Sequence, residues 1–387
     1  MGTLPFLISG KHSETIRYTN GLTRIPVTTA SRSYEVLVQR GLVRKAAQAL
    51  ENIAPKCTAV CVVTSKPIRK PWAKPLEKGL RGTSGKVHFF EMPDGERAKR
   101  LSTLEKLSEQ LVEHGADRQS LIVALGGGVV GDVGGFLASV FMRGIPVVQV
   151  PTTLVAQVDS AIGGKTGVNL ANGKNLLGTF HQPACVLVDP DVLSTLPERE
   201  YRSGLFEAMK YGVIRNPRIF EMMENHRDAL LARDGDLLEE LITECIRVKA
   251  EVVSADERES GERRILNFGH TIGHALEAET GYKSLLHGEA VGWGMIAAAD
   301  IGREAGVSDK QIARQIREMV TAYAPLPKFK VKPRRILKRL MSDKKTIAGT
   351  PHFVLARRIG EVEIVNDVPN SVIIRAVEKL NELASHL

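Results

Sequence analysis

Aromatic residues are scarce in this 387-residue chain, at 5% of its composition, and the few present do not interleave with its basic residues. That counts against a nucleic-acid surface, which would combine cations with stacking rings. Cysteine is scarcer still. Cys57, Cys61, Cys185 and Cys245 form no CxxC pair, and a chain this long has no need of a disulfide framework, so a reducing compartment, the cytoplasm, is expected. No apolar run approaches the ~20 residues that cross a bilayer, so no membrane partner is expected. The N-terminal MGTLPFLISGKHSETIRYTNG has neither a basic leader nor a cleavage site. Residues 1 to about 30 therefore read as a loosely ordered extension. Internal repeats of solenoid length and low-complexity linkers are also missing.

What is present describes a soluble globular protein with room for two domains: 43% hydrophobic and 25% charged residues. The formal charge is +9, and part of the excess sits in KFKVKPRRILKRLMSDKK, residues 328 to 345. A solvated basic helix face accounts for that stretch better than a nucleic-acid site. A second expectation is that some of the cations face a small anionic substrate.

The first half alternates strands with helices. SYEVLVQRGLV from Ser33, CTAVCVVTS, KVHFFEMPDGE and SLIVALGGG read as strands, with RKAAQALENIA and AKRLSTLEKLSEQLVEHGA as helical patterns between them. Continuous apolar runs of this kind belong to buried parallel strands, so the expectation is an α/β Rossmann-like N-terminal domain over 31–198. Beyond about residue 200 nearly every segment has helical period, with one β excursion at 352–365. A predominantly α-helical C-terminal domain over 199–387 follows, divided from the first near Leu196-Pro197.

Two stretches carry chemistry. In LIVALGGGVVGDVGGFLASVF, Gly126, Gly128 and Gly131 satisfy GxGxxG between a strand and a helix. Glycines without Cβ let backbone N–H groups approach a diphosphate, although tight packing without a ligand would look the same. This turn comes some 120 residues into the chain, unlike the most familiar dinucleotide folds. In RRILNFGHTIGHALEAETGYKSLLHGE, residues 263 to 289, a helix through HTIGHALEA puts His270 and His274 on one face. His287 follows after a glycine-containing break. Two imidazoles and a third nearby make a plausible part of a catalytic metal site, though HxxxH also arises by chance on exposed helices.

Residues 123 to 183, from VALGGGVVGD through GGKTGVNLANGKN to GTFHQP, closely resemble the core of the 3-dehydroquinate synthase family. LPEREYRSGLFEAMKYGVI, NFGHTIGHALE, LLHGEAVGWGM and SDKKTIAG are similar too, so the likeness spans about 33 to 375. The resemblance implies a dehydroquinate synthase-like fold, NAD, a divalent metal (zinc, possibly cobalt) and, most often, a homodimer. It implies conversion of the phosphorylated keto-acid DAHP to 3-dehydroquinate by transient oxidation, phosphate elimination, re-reduction and aldol closure. The implied metal ligands are Glu207, His270 and His287. Substrate contacts would come from Asp159, Lys165, Asn175, Lys210, Lys249, Arg263, Asn267 and Lys344. His274 would relay a proton, and Arg143 would lie near the phosphate. For NAD, Asp94, Glu96 and Lys99 would serve the adenosine and diphosphate side, and Gly127, Gly128 and Asp132 the diphosphate loop. Thr152, Thr153, Lys174 and Lys165 would line the ribose and nicotinamide region, with Thr195 a further candidate. Ser65-Lys66 depart from the acidic or amide residue that commonly follows the CTAVCVVTS strand in that family. Rival readings are a cyclase for sedoheptulose 7-phosphate, a glycerol-dehydrogenase-like enzyme, and a binding protein built on an inactive fold.

Overall fold

The computed structural model describes residues 21–51, 53–342 and 351–386. Its N-terminal half is built on a seven-stranded sheet in the order β1-β2-β9-β6-β5-β3-β4. The strands are β1 (Thr23–Thr28), β2 (Ser33–Val38), β3 (Ala59–Ser65), β4 (Lys86–Met92), β5 (Leu121–Gly126), β6 (Val147–Pro151) and, later in the chain, β9 (Cys185–Val188). Only β1 and β2 pair antiparallel; the other ladders are parallel. β3 is buried along its whole length. Its side chains alternate between two cores, Val60 and Val62 into one and Ala59, Cys61 and Val63 into the other. That is why the sequence shows a continuous apolar run instead of alternation.

Helices α1 (Ala46–Leu50) and α2 (Lys66–Gly79) follow β2 and β3; α3 (Leu101–Glu113) and α4 (Gly128–Val140) follow β4 and β5. The chain leaves β3 toward β4 on one side and leaves β5 toward β6 on the other. The crevice beyond the ends of β3 and β5 is therefore the topological switch point, where open α/β sheets bind ligands. The glycine turn Gly127–Gly128 sits there, at the start of α4.

A hairpin of β7 (Lys165–Leu170) and β8 (Gly173–Phe180) stands outside the main sheet and packs on α4, where a Cβ on Gly135 would lie 2.5 Å from Thr166 Cγ2. The second half comprises α5 (Glu198–Ile214), α6 (Pro217–Asn225), α7 (Arg227–Leu231), α8 (Gly235–Ala255), α9 (His270–Glu279), α10 (His287–Glu304), α11 (Lys310–Ala322), α12 (Pro333–Ser342) and α13 (Asn370–His386). The β excursion is the hairpin β10 (Phe353–Arg358) and β11 (Glu361–Val365). On α12, Ile336 and Leu340 face the core while Arg334, Arg335 and Lys338 are exposed, a solvated basic face.

Part of the expected N-terminal extension is ordered. Residues 23–28 form β1 because Thr23, Ile25 and Val27 alternate into the core and Thr28 N donates to Ser254 Oγ at the end of α8. Residues 1–20 lie outside the described residues. No helix among the described residues is long and apolar enough to cross a membrane.

Candidate active site

Three helices meet at backbone distance to build the centre. A Cβ on Gly288 of α10 would lie 1.8 Å from Ser203 O of α5, and one on Gly294 would lie 1.8 Å from Gly269 O, which precedes α9. The start of α10 is fixed further by Glu289, which accepts from Leu286 N at 2.7 Å and takes two bonds from Arg199 at 2.6 and 2.8 Å. The result brings Glu207 of α5, His270 of α9 and His287 of α10 together.

Glu207 Oε1 lies 3.4 Å from His270 Nε2 and 3.2 Å from His287 Nε2. Each imidazole is oriented through its other nitrogen: His270 Nδ1 is 3.1 Å from Phe268 O, and His287 Nδ1 is 3.3 Å from Glu277 Oε2. Glu207 is 0% exposed, and neither carboxylate oxygen accepts an aligned hydrogen bond. Lys210 Nζ, one turn on, stands 2.6 Å from Oε2 as an ion pair. Burial opposes ionisation of Glu207, but Lys210 and His270 outweigh it and hold the carboxyl well below its ordinary range. A fully buried carboxylate facing two oriented imidazoles, with neither oxygen in an aligned hydrogen bond, fits a divalent cation. His274 offers a nitrogen close to those of His270 and His287 as well, all within 4.8 Å of one another. A three-histidine set is thus also within reach, but it leaves the Glu207 carboxylate unexplained.

Beside this group lies a cluster of charges. Asp159, in the π-helical turn Ala156–Ser160, accepts from Tyr211 Oη at 2.6 Å and Lys249 Nζ at 2.8 Å, with Lys210 Nζ at 3.5 Å. Burial lowers the Lys249 ammonium to about 8 even with Asp159 beside it, whereas Asp159 and Glu207 together overcome burial and raise Lys210. Glu259 binds both Lys165 and, at 2.7 Å, Asn267 Nδ2. Arg263 is 1% exposed and donates to two backbone carbonyls, Glu257 O and Gly163 O, so its guanidinium fixes the loops around the site.

On the sheet side, Lys99 pairs with Asp132 and with Asn175 Oδ1, and Asn169 Nδ2 donates to Glu96 Oε1 at 2.7 Å. Gly127 faces Thr153, whose Cγ2 a Cβ there would meet at 2.8 Å. Thr152 Oγ1 and, at the end of β3, Ser65 Oγ are buried without partners. A cleft of about 660 Å³ opens between the β7–β8 hairpin and α9, lined by Glu96, Lys99, Lys174, Asn175, His274, Glu277 and His287 among others. Bare backbone at the glycine turn and unpartnered hydroxyls at the strand ends suit a dinucleotide.

Other expected residues stand apart. Arg143 is exposed at the far end of α4, about 20 Å of helix from the glycine turn, so one chain does not bring it to the cluster. Thr195 Oγ1 accepts from Trp72 Nε1 at 2.8 Å and is thus committed to α2. Asp94 is exposed in the loop after β4. Lys344 lies outside the described residues. Tyr211, Glu259 and Glu277 also belong to this site without being among the expected residues. Of these, Glu277 had a signal, since it falls seven residues after His270 on the same helical face.

The chain matches the family models 3-dehydroquinate synthase N-terminal over residues 89–203 and 3-dehydroquinate synthase C-terminal over residues 204–346. The 3-dehydroquinate synthase of Koribacter versatilis is 56% identical over 363 residues, 94% of this chain and 99% of that one. Among solved structures, 2-epi-5-epi-valiolone synthase from Streptomyces hygroscopicus, with NAD+ and Zn2+ bound, aligns with a TM-score of 0.83 and 29% identity, covering 91% of this chain and 98% of that one. A 2-deoxy-scyllo-inosose synthase complexed with carbaglucose-6-phosphate, NAD+ and Co2+ aligns at 0.82 and 27%, covering 92% and 99%.

Proposed function

The chain belongs to the 3-dehydroquinate synthase family, and from that premise we propose that it converts 3-deoxy-D-arabino-heptulosonate 7-phosphate (DAHP) to 3-dehydroquinate and phosphate. It is a phosphate-eliminating lyase of the shikimate pathway, which leads to chorismate and the aromatic amino acids. The observation that carries the site assignment is the convergence of Glu207 Oε1 with the Nε2 atoms of His270 and His287.

Those three residues would hold zinc or cobalt, a Lewis acid that favours ionisation of a coordinated alcohol. The Gly127–Gly128 turn, with Glu96, Lys99, Asp132, Thr152 and Thr153, would hold NAD, which supplies reversible hydride removal. The remaining chemistry falls to the chain's own side chains. Lys165, Lys210 and Lys249, with Asn175 and Asn267, give a phosphate and a carboxylate the charge-assisted donors both need. Asp159 keeps the two buried lysines in place through shared ion pairs. His274, on the cleft wall one turn from His270, takes and returns the hydroxyl proton. Arg263 orders the loop that presents Glu259 and Asn267, and Lys344 would add a further cation. Glu207→Ala, His270→Ala and His287→Ala are each expected to lower zinc content and phosphate release together. Full activity without zinc in any of them would refute the ligand set.

A homodimer in the cytoplasm completes the reading. Val140, Met142, Leu177 and Phe180 are exposed at the end of α4 and on the β7–β8 hairpin, where a second copy would cover them. The four cysteines are free and buried, as suits a reducing compartment.

A further inference from the structure

Glu277 is a buried carboxylate, its side chain 7% exposed, and it joins the two halves of the cleft. It lies on α9, two turns after His270 and three residues after His274, so it shares their face. Its Oε2 is 3.3 Å from His287 Nδ1, and its Oε1 is 3.5 Å from Lys174 Nζ on β8. Lys174 in turn sits 4.1 Å from the centre of the Tyr282 ring.

The two imidazoles that face Glu207 are held differently. His270 is oriented by a backbone carbonyl, Phe268 O, inside its own chain turn, and its side chain is 10% exposed. His287 is the first residue of α10, its side chain is 36% exposed, and its Nδ1 faces Glu277 Oε2. The more open imidazole is thus oriented by a side chain on another helix.

We propose that Glu277 is the positioning residue of the metal centre: it fixes His287 so that Nε2 points at Glu207, while Lys174 keeps the carboxylate aimed. The proposal rests on the metal assignment above. A carboxylate on the outer nitrogen of a ligating histidine sets its tautomer and orientation and raises its basicity. Nothing in the proposal requires Glu277 to touch metal, substrate or NAD.

Zinc and cobalt affinities of the full chain, measured by chelator competition, test it. Glu277→Ala is expected to weaken metal binding by about 10- to 100-fold, and activity should return toward wild type at saturating zinc. Glu277→Gln keeps an acceptor oxygen without the charge and is expected to lose less, under roughly tenfold. Lys174→Met should weaken metal binding by less than Glu277→Ala does, since it acts only through the carboxylate it aims. A Glu277→Ala protein that binds zinc like wild type, while His287→Ala does not, would overturn the proposal and leave the ligand set standing. Loss of metal equal in the Gln and Ala variants, with no rescue by excess zinc, would overturn it as well, because that pattern belongs to a structural role. If His287→Ala and Glu207→Ala also bind zinc normally, the ligand assignment itself falls.

Discussion

At Lys249 two opposing forces act on one ammonium group. Burial removes its hydration and pulls it down to about 8, and the Asp159 carboxylate at 2.8 Å restores only part of the loss. Lys210 shares Asp159 but gains Glu207 as a second counter-charge, and it moves up instead. A lysine that gives up its proton near pH 8 stops attracting an anionic substrate above that value. The kcat/KM for DAHP is therefore expected to fall as pH rises through about 8, since this ratio reports the free enzyme. In Lys249→Arg the alkaline limb should move well upward, because a guanidinium stays charged. An unchanged limb in that variant would mean another group titrates. Legibility at this scale was uneven. His270 and His274 could be read from helical spacing, because an i, i+4 pair needs no tertiary information. Glu207 could not, since GLFEAMK shows nothing that separates a buried ligand from a surface glutamate, and only the family resemblance singled it out.

Among elements, the close contacts of α5, α9 and α10 set the positions of Glu207, His270 and His287. Gly288 is glycine because any Cβ would overlap Ser203 O at 1.8 Å. Gly288→Ala must push α10 away from α5, which is expected to cost about 1–3 kcal/mol of stability, read from urea unfolding. His287 is its immediate neighbour, so zinc content should fall with stability. A stable variant with full zinc would show that the helices are not locked there. The sequence yielded the alternating strands and helices because their periods differ. It did not yield α2, whose Pro71 and Pro75 look like helix breakers. That helix forms because Trp72 and Leu76, one turn apart, are buried against the sheet. The β7–β8 hairpin is not legible either: its turn is Ala171-Asn172, and Gly173 already pairs with Leu170, so the Asn-Gly dipeptide is out of register with the common two-residue turn. The unusual glycine content around it masked the alternation of Thr166 and Val168. β1 was missed because only three of its side chains face inward, and their partner strand comes after it in the chain.

For the molecule as a whole, the sheet's switch point would supply the dinucleotide crevice and the helical half the metal ligands, while the β7–β8 hairpin carries Lys174 across to Glu277. Exposed Phe180 and Leu177 on that hairpin would be costly in a monomer. Light scattering is expected to give twice the 42.3 kDa chain mass, and Phe180→Glu should shift it toward one. A monomer in the wild type would remove the dimer from the reading. Oxidation and reduction are expected to occur within one turnover, which a single vessel can test. The purified chain is incubated with zinc, limiting NAD and excess DAHP, while phosphate and NADH absorbance are followed together. Phosphate is expected in many-fold excess over NAD, with no steady build-up of NADH. One NADH accumulating for each substrate consumed, without phosphate release, would contradict the account and assign the site to an alcohol dehydrogenase.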